Sequence, residues 1–91
     1  MAKERDDVVI EGVGRRIAEA RKAIGWTQQR AADKLKIEVQ SWQRFERGEN
    51  TTIRTLVKIA NVLGVTTRSL FEDPVSREHQ AGRPRGPNTR R

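Results

Sequence analysis

The feature that most constrains this chain is the spacing of its apolar residues, which recur every three or four positions in short runs. Val13, Ile17 and Ala20 show this spacing, which places side chains on one face of an α-helix. Glycines follow several of the runs and threonines precede others, and these residues favour helix ends and helix starts respectively. The sequence therefore predicts an all-α fold without strands or internal repeats. Its five short helices are expected at Val13–Ile24, Gln28–Leu35, Val39–Arg47, Ile53–Leu63 and Thr67–Glu72.

The segments that flank these helices differ from them in composition. We expect residues 1–11, which contain four acids, to form a flexible N-terminal arm before a domain at residues 12–73. The alternative is that Val8, Val9 and Ile10 add a turn to the first helix. Residues 74–91 contain five arginines, three prolines and two glycines, and they have too few apolar residues to offset the entropy lost on ordering. A disordered basic tail is predicted there. Its Gly82-Arg83-Pro84 triplet weakly resembles an AT-hook, and minor-groove binding, weak electrostatic assistance and no role all stay open.

Several classes of function are disfavoured by residues that the sequence lacks. There is no cysteine, and His79 is the only histidine, so we expect no disulfide, no metal site and no cofactor. No carboxylate pair or glycine-rich phosphate loop indicates catalysis, and the chain is predicted not to be an enzyme. No apolar run approaches the length of a membrane span, and the N-terminus lacks the apolar core of a secretion signal. We expect a cytoplasmic protein with neither membrane contact nor a small-molecule ligand.

Positive charge is concentrated on the part of the chain that is predicted to fold. The formal net charge is +7, and residues 12–71 hold twelve Lys or Arg against five Asp or Glu. A basic folded surface attracts polyanions, of which nucleic acid is the commonest. General solubility is the alternative explanation, so the charge alone does not decide between them.

The second and third predicted helices form a helix-turn-helix pattern, because both are short and only three residues join them. Gln40, Gln43 and Arg44 lie on the side of the third helix away from Trp42 and Phe45. Such side chains donate and accept the hydrogen bonds that the DNA major groove offers. A solvated surface helix has the same polarity. The two tryptophans occur at helical spacing on apolar faces, which favours a place in the core over base stacking.

Three segments, in order and covering about two-thirds of the chain, resemble the Cro/lambda-repressor-like (XRE) family. They are VGRRIAEARKAIGWTQ, WQRFERG and TLVKIANVLGVTTRSLF. The resemblance implies a compact five-helix domain that binds double-stranded operator DNA, usually as a homodimer. It also implies a transcriptional regulator, either a repressor or an autoregulator.

The resemblance also implies roles for individual residues. Base edges would be contacted by Val39, Gln40, Gln43 and Arg44. The DNA backbone would be contacted by Gln28, Arg47 and Asn50. Arg21 and Glu46 correspond to a buried ion pair between the first and third helices. We expect two copies one helical turn apart, about 34 Å, to meet through the fifth helix and its flanks, with Val65, Arg68, Ser69 and Phe71 as candidates. A place for Phe71 in the core is the equal alternative.

Four residues depart from the family pattern. Lys36 occupies a turn position where glycine is frequent, and a left-handed backbone there would cost lysine about 1–2 kcal/mol. Glu38 replaces a Ser or Thr cap, and its charge would face phosphates. Val39 cannot hydrogen-bond a base, although it can meet a thymine methyl group, and Ala31 replaces a bulkier apolar residue. Glu38 and Val39 favour the alternative function, a protein-interaction module such as an antitoxin or accessory subunit with weak DNA affinity.

Overall fold

The computed structural model describes residues 3–75, and within that range the regular secondary structure is all helical, without strands. Its α-helices are α1 (Asp6–Ala23), α2 (Gln28–Leu35), α3 (Val39–Glu46) and α4 (Ile53–Leu63), and a 3₁₀ turn at Arg68–Phe71 follows them. The tail beyond Val75, with His79 and the triplet at residues 82–84, lies outside the described residues.

The predicted helix signals act as expected at three helices. The Oγ1 atoms of Thr27 and Thr52 accept backbone N–H bonds from Arg30 and Thr55, both at 3.0 Å. Each threonine thereby satisfies one of the N–H groups that a helix start leaves without a partner. Gly25 and Gly64 follow α1 and α4 with φ of 75°, the left-handed conformation that glycine adopts without strain.

Helix α1 begins at Asp6, so the predicted start at Val13 is wrong and the segment interpreted as an arm is helical from residue 6. Asp6 and Asp7 lie in its first turn, where carboxylates interact favourably with the helix dipole. Val9 and Ile10 are half-buried, and the backbone of Ile10 and Glu11 lies against Gly48, so residues distant in the sequence contact the added turns. Whether residues 1–11 move independently, and where the domain ends, stay predictions.

The predicted fifth α-helix is also wrong, because residues 68–71 form a single 3₁₀ turn and the described chain has four α-helices. A four-residue segment is too short to establish the i to i+4 bonds of an α-helix. Thr66 shapes the turn instead, since its Oγ1 accepts the Ser69 N–H at 3.1 Å and its carbonyl accepts the Ser69 hydroxyl at 2.7 Å.

The core lies between the four α-helices, and Leu70 of the 3₁₀ turn belongs to it. Its largest fully buried side chains are Trp42, Ile17, Ile59 and Leu70. The predicted core position of Trp42 is confirmed, whereas Trp26 packs at the edge of the core with the Arg30 guanidinium over its ring. Apolar spacing alone does not identify the buried face everywhere, because some apolar side chains of the helical pattern are exposed. They include Ile24, Ile53, Val57 and Phe71.

Two glycines allow the backbone of α1 to lie directly against the end of α3. A Cβ atom on Gly14 would come within 2.7 Å of the Phe45 and Glu46 carbonyl oxygens. A Cβ atom on Gly48 would come within 2.6 Å of the Glu11 Cα atom, and Gly48 also has a φ of 85°. Larger residues at either position would push the two helices apart. This close contact holds α1 against the last turn of α3.

Candidate nucleic-acid interface

The turn between α2 and α3 places a lysine in the left-handed conformation. Lys36 has φ of 63° and ψ of 45°, and it is the only non-glycine residue with positive φ in the described chain. The Ile37 N–H donates to the Ala32 carbonyl oxygen at 3.0 Å across this turn, and Ile37 packs against the core. Lys36 thus has the left-handed backbone that is costly for lysine, and this turn sets the angle at which α3 leaves α2.

Helix α3 begins without the side-chain cap that α2 and α4 have. Glu38 occupies the N-cap position with an extended backbone, but its carboxylate makes no capping hydrogen bond. The Ser41 and Trp42 N–H groups reach the Glu38 carbonyl oxygen at 3.0 and 3.2 Å. The position of α3 must therefore depend mainly on contacts made by its inner face, since no side-chain cap stabilises its first turn.

A buried carboxylate on that inner face connects α3 to α1. Glu46 Oε2 accepts a hydrogen bond from Arg21 Nε at 2.6 Å, and its Oε1 accepts one from Arg21 Nη2 at 3.2 Å. The side chains are only 10% and 8% exposed, so the ion pair is shielded from water. Arg21 Nη1 also donates to the Trp26 carbonyl oxygen at 2.7 Å. The two residues predicted to form a buried pair do form one.

The same carboxylate collects hydrogen bonds from α2 and from α3 itself. Trp42 Nε1 donates to Glu46 Oε2 at 2.6 Å, and Gln28 Nε2 donates to Glu46 Oε1 at 2.8 Å. Gln43 Nε2 then donates to Gln28 Oε1 at 3.2 Å. Sequence analysis did not identify this wider network, because residues 15 and 18 positions apart show no local pattern. The network joins three helices and restrains the rotation of α3 about its axis.

Burial of Glu46 by itself raises the pKa of the carboxyl group, because a charge is less stable away from water. Hydrogen bonds from Arg21, Gln28 and Trp42, together with the positive charge of Arg21, outweigh that effect. The net result is a pKa below the ordinary value of 4.5. Glu46 is therefore held as a carboxylate, the form in which it can accept every bond of the network.

The outer face of α3 presents polar side chains to solvent. Gln40 and Arg44 are exposed, Gln43 is half-buried beside Gln28, and Val39 is half-buried with its side chain packed against the core. The four predicted base-contacting residues thus lie on one short helix, but only two of them are exposed. Arg44 is oriented by Ser41, whose Oγ accepts from Arg44 Nη2 at 3.3 Å.

The three residues predicted to contact the DNA backbone lie on two sides of α3. Gln28 starts α2, where the first N–H groups and the positive end of the helix dipole suit a phosphate oxygen. Its side-chain amide is engaged with Glu46 and Gln43. Arg47 and Asn50 are exposed just after α3.

Glu49 lies close to both Arg44 and Arg47, and sequence analysis did not identify it as part of the site. Its Oε1 is 3.7 Å from Arg44 Nε, and its Oε2 is 3.4 Å from Arg47 Nη2. One exposed carboxylate therefore contacts an arginine predicted to meet bases and another predicted to meet phosphates. The sequence shows that Glu49 follows two arginines closely, but it does not show the turn that brings these three side chains together.

No group of three or more His, Cys, Asp or Glu residues within positions 3–75 is arranged to hold a metal ion. None of the helices in this part of the chain is long and apolar enough to cross a membrane.

Comparison with known proteins gives consistent results. The sequence profile of the helix-turn-helix family matches residues 17–70. The chain is 38% identical over 60 residues to the SPbeta prophage-derived uncharacterized HTH-type transcriptional regulator YonR of Bacillus subtilis, covering 65% of this chain and 56% of that protein. It is 41% identical over 56 residues to the cryptic phage CTXphi transcriptional repressor RstR of Vibrio cholerae, covering 60% of this chain and 50% of that protein. The chain thus spans about half the length of these relatives.

Among solved structures, the restriction-modification controller protein C.AhdI from Aeromonas hydrophila superposes with a TM-score of 0.64 at 28% identity. The superposition covers 68% of this chain and 96% of that one.

Proposed function

This chain belongs to the helix-turn-helix family, and from that premise we propose that it is a DNA-binding transcriptional regulator that inserts α3 into the major groove. The observation that carries the proposal is the division of α3 into two faces. The inner face is held by the Arg21–Glu46 network, in which the side chains of the ion pair are at most 10% exposed. The outer face presents Gln40 and Arg44 to solvent. A rigid helix with outward hydrogen-bonding groups is what sequence-specific contact with base edges requires.

The outer face suits particular base chemistry. Arg44 can donate two hydrogen bonds to the O6 and N7 atoms of guanine, and Gln40 can pair bidentately with adenine. Gln43 uses one amide N–H on Gln28, which leaves its carbonyl oxygen and its second N–H for a base. Val39 offers only methyl groups, so its partner would be the methyl group of thymine. We propose that these four residues determine the DNA sequence that is bound.

Contacts to the DNA backbone would fix how α3 is placed in the groove. We assign them to Gln28, Arg47 and Asn50. The N-terminus of α2 suits a phosphate because of its N–H groups and its dipole. Arg47 and Asn50 are exposed on the other side of α3. Contacts of this kind position the protein without distinguishing sequences.

Operator binding by a domain of this size usually requires two copies, with their recognition helices about 34 Å apart. We propose a homodimer that forms through the 3₁₀ turn and its flanks, where Phe71 is 53% exposed although it is aromatic. Val65, Arg68 and Ser69 complete the proposed surface. A repressor or autoregulator would act by occupying the operator in this form.

The proposed function is tested by selecting bound duplexes from a random DNA pool, followed by a salt titration of binding. We expect one preferred sequence with two half-sites, and an affinity that falls steeply with salt because phosphate contacts release counterions. The alternative, a protein-interaction module with weak DNA affinity, predicts no enriched sequence and a shallow salt dependence. Sedimentation that shows a monomer at high concentration, together with non-cooperative half-site binding, would exclude the dimer.

A further inference from the structure

The exposed carboxylate of Glu49 is an unexpected group at a surface that is proposed to meet a polyanion. It repels phosphates, and it reduces the net positive charge of its two arginine neighbours. A residue of this kind weakens binding to DNA of every sequence unless it also contributes something to the preferred site. The position of Glu49 next to Arg44 indicates that this contribution acts through Arg44.

The end of α3 fixes the backbone of Glu49. The Glu49 N–H donates to the Arg44 carbonyl oxygen at 3.1 Å, and the Gly48 N–H donates to the Phe45 carbonyl oxygen at 3.1 Å. These two bonds and the left-handed Gly48 form a Schellman motif. The motif reverses the chain at Gly48 and returns Glu49 alongside the last turn of the helix. The backbone geometry of this turn thus places the Glu49 side chain next to Arg44.

The contacts divide the Arg44 guanidinium into a held side and a free side. Glu49 Oε1 faces Nε at 3.7 Å, and Ser41 Oγ accepts one hydrogen from Nη2 at 3.3 Å. The remaining hydrogens on Nη1 and Nη2 can make the paired bonds that guanine accepts. A freely rotating arginine would lose more entropy on forming these two bonds than one that is already held.

We propose that Glu49 is a positioning residue that increases the sequence discrimination of Arg44, an inference that rests on the proposed DNA-binding function. On the preferred site, the Arg44–Glu49 contact persists and orients the guanidinium toward its base. On other sequences, Arg44 meets a phosphate instead of a base, and Glu49 competes with that phosphate for the guanidinium. Repulsion of the DNA backbone by Glu49 and its competition for Arg47 apply to both kinds of complex, so Glu49 changes the discrimination only through Arg44.

The experiment measures binding of the wild-type chain, Glu49→Gln, Arg44→Ala and the double variant to two duplexes, the selected site and a scrambled sequence. Glu49→Gln should bind the scrambled duplex more tightly at about 50 mM salt, with a log–log salt slope steeper by up to about 0.9. The ratio of specific to nonspecific affinity should fall about twofold to fivefold, the range that an exposed ion pair supports. In the Arg44→Ala background, the same change should leave the ratio unaltered.

Asp7→Asn is the matched control, because Asp7 is an exposed carboxylate beside an arginine, Arg5, at 2.9 Å. It lies in the first turn of α1, outside the proposed DNA and dimer surfaces, and the change alters the net charge equally. It should leave the affinity ratio unchanged, and thermal melts should show that all variants are folded. An equal effect of Glu49→Gln on both duplexes, or an effect that persists without Arg44, would overturn the positioning role. If the wild-type chain does not discriminate between the duplexes, the proposed function itself fails.

Discussion

Two arginine–glutamate arrangements lie on opposite sides of α3, and they differ in almost every physical respect. The Arg21–Glu46 pair is buried and closes at 2.6 Å with further donors around the carboxylate. The carboxylate of Glu49 is 51% exposed and lies 3.4–3.7 Å from its two arginines. Burial makes the first pair a structural requirement, because neither charge can be left without the other. Exposure makes the second a weak contact whose importance depends on what approaches it.

The largest effect should come from breaking the buried pair. Arg21→Ala and Glu46→Ala should each lower the free energy of unfolding by about 3 kcal/mol or more. The double variant should lose less than the sum, since no unpaired charge then remains. Denaturant unfolding of the three variants measures this coupling. The control cycle on Arg47 and Glu49 should give coupling below about 1 kcal/mol. Additive losses at Arg21 and Glu46 would contradict the contrast between the two arrangements.

Acid should weaken the buried arrangement through Glu46. Its pKa in the folded protein lies below the ordinary value of 4.5, so its stabilising effect is complete above that pH and is lost as the pH falls through the folded value. The measurement compares the free energy of unfolding of the wild-type chain and Glu46→Gln over this range. We expect the difference between them to be large near neutrality and to shrink in acid. A difference that does not vary with pH would exclude Glu46 as the titrating group.

A smaller effect is expected at the turn that positions both faces of α3. Lys36→Gly should relieve the left-handed strain and raise the free energy of unfolding by about 0.5–1 kcal/mol, after the added flexibility of the unfolded chain is subtracted. The melting temperature should rise by about 4 °C. Lys36→Ala is the matched control, since it removes the same charge but keeps the Cβ atom. An equal gain in both variants would show that charge, and not backbone strain, is responsible.

The sequence predicted α2, α3 and α4 well because their signals are local. Threonine caps, terminal glycines and apolar spacing lie within a few residues of the helices that they define. The first helix was predicted too short, because the contacts that stabilise its early turns come from residues far along the chain. The fifth was predicted as an α-helix because four residues carry too little information to distinguish it from a 3₁₀ turn.

Predictions about the site also succeeded where the signal was present in the sequence and failed where long-range contacts decide the structure. The buried pair of Arg21 and Glu46 was predicted from the family resemblance, but its links to Gln28 and Trp42 required three helices in place. Glu49 was not identified as part of the site, because its position depends on the Schellman turn at Gly48. Side chains whose place is set by long-range packing or by a chain reversal are the ones that sequence patterns do not specify.

The central claim is that α3 meets base edges with its outer face, and Arg44 tests it most directly. The affinity of Arg44→Ala for the preferred duplex should fall by the equivalent of about 1–3 kcal/mol, with discrimination relaxed at one base pair in each half-site. Nonspecific affinity should fall less, so the ratio of the two affinities should drop. Asn50→Ala should weaken binding to both duplexes about equally, as expected for a backbone contact. If Arg44→Ala lowers specific and nonspecific affinity by the same factor, Arg44 contacts the DNA backbone, and α3 does not lie in the groove as proposed.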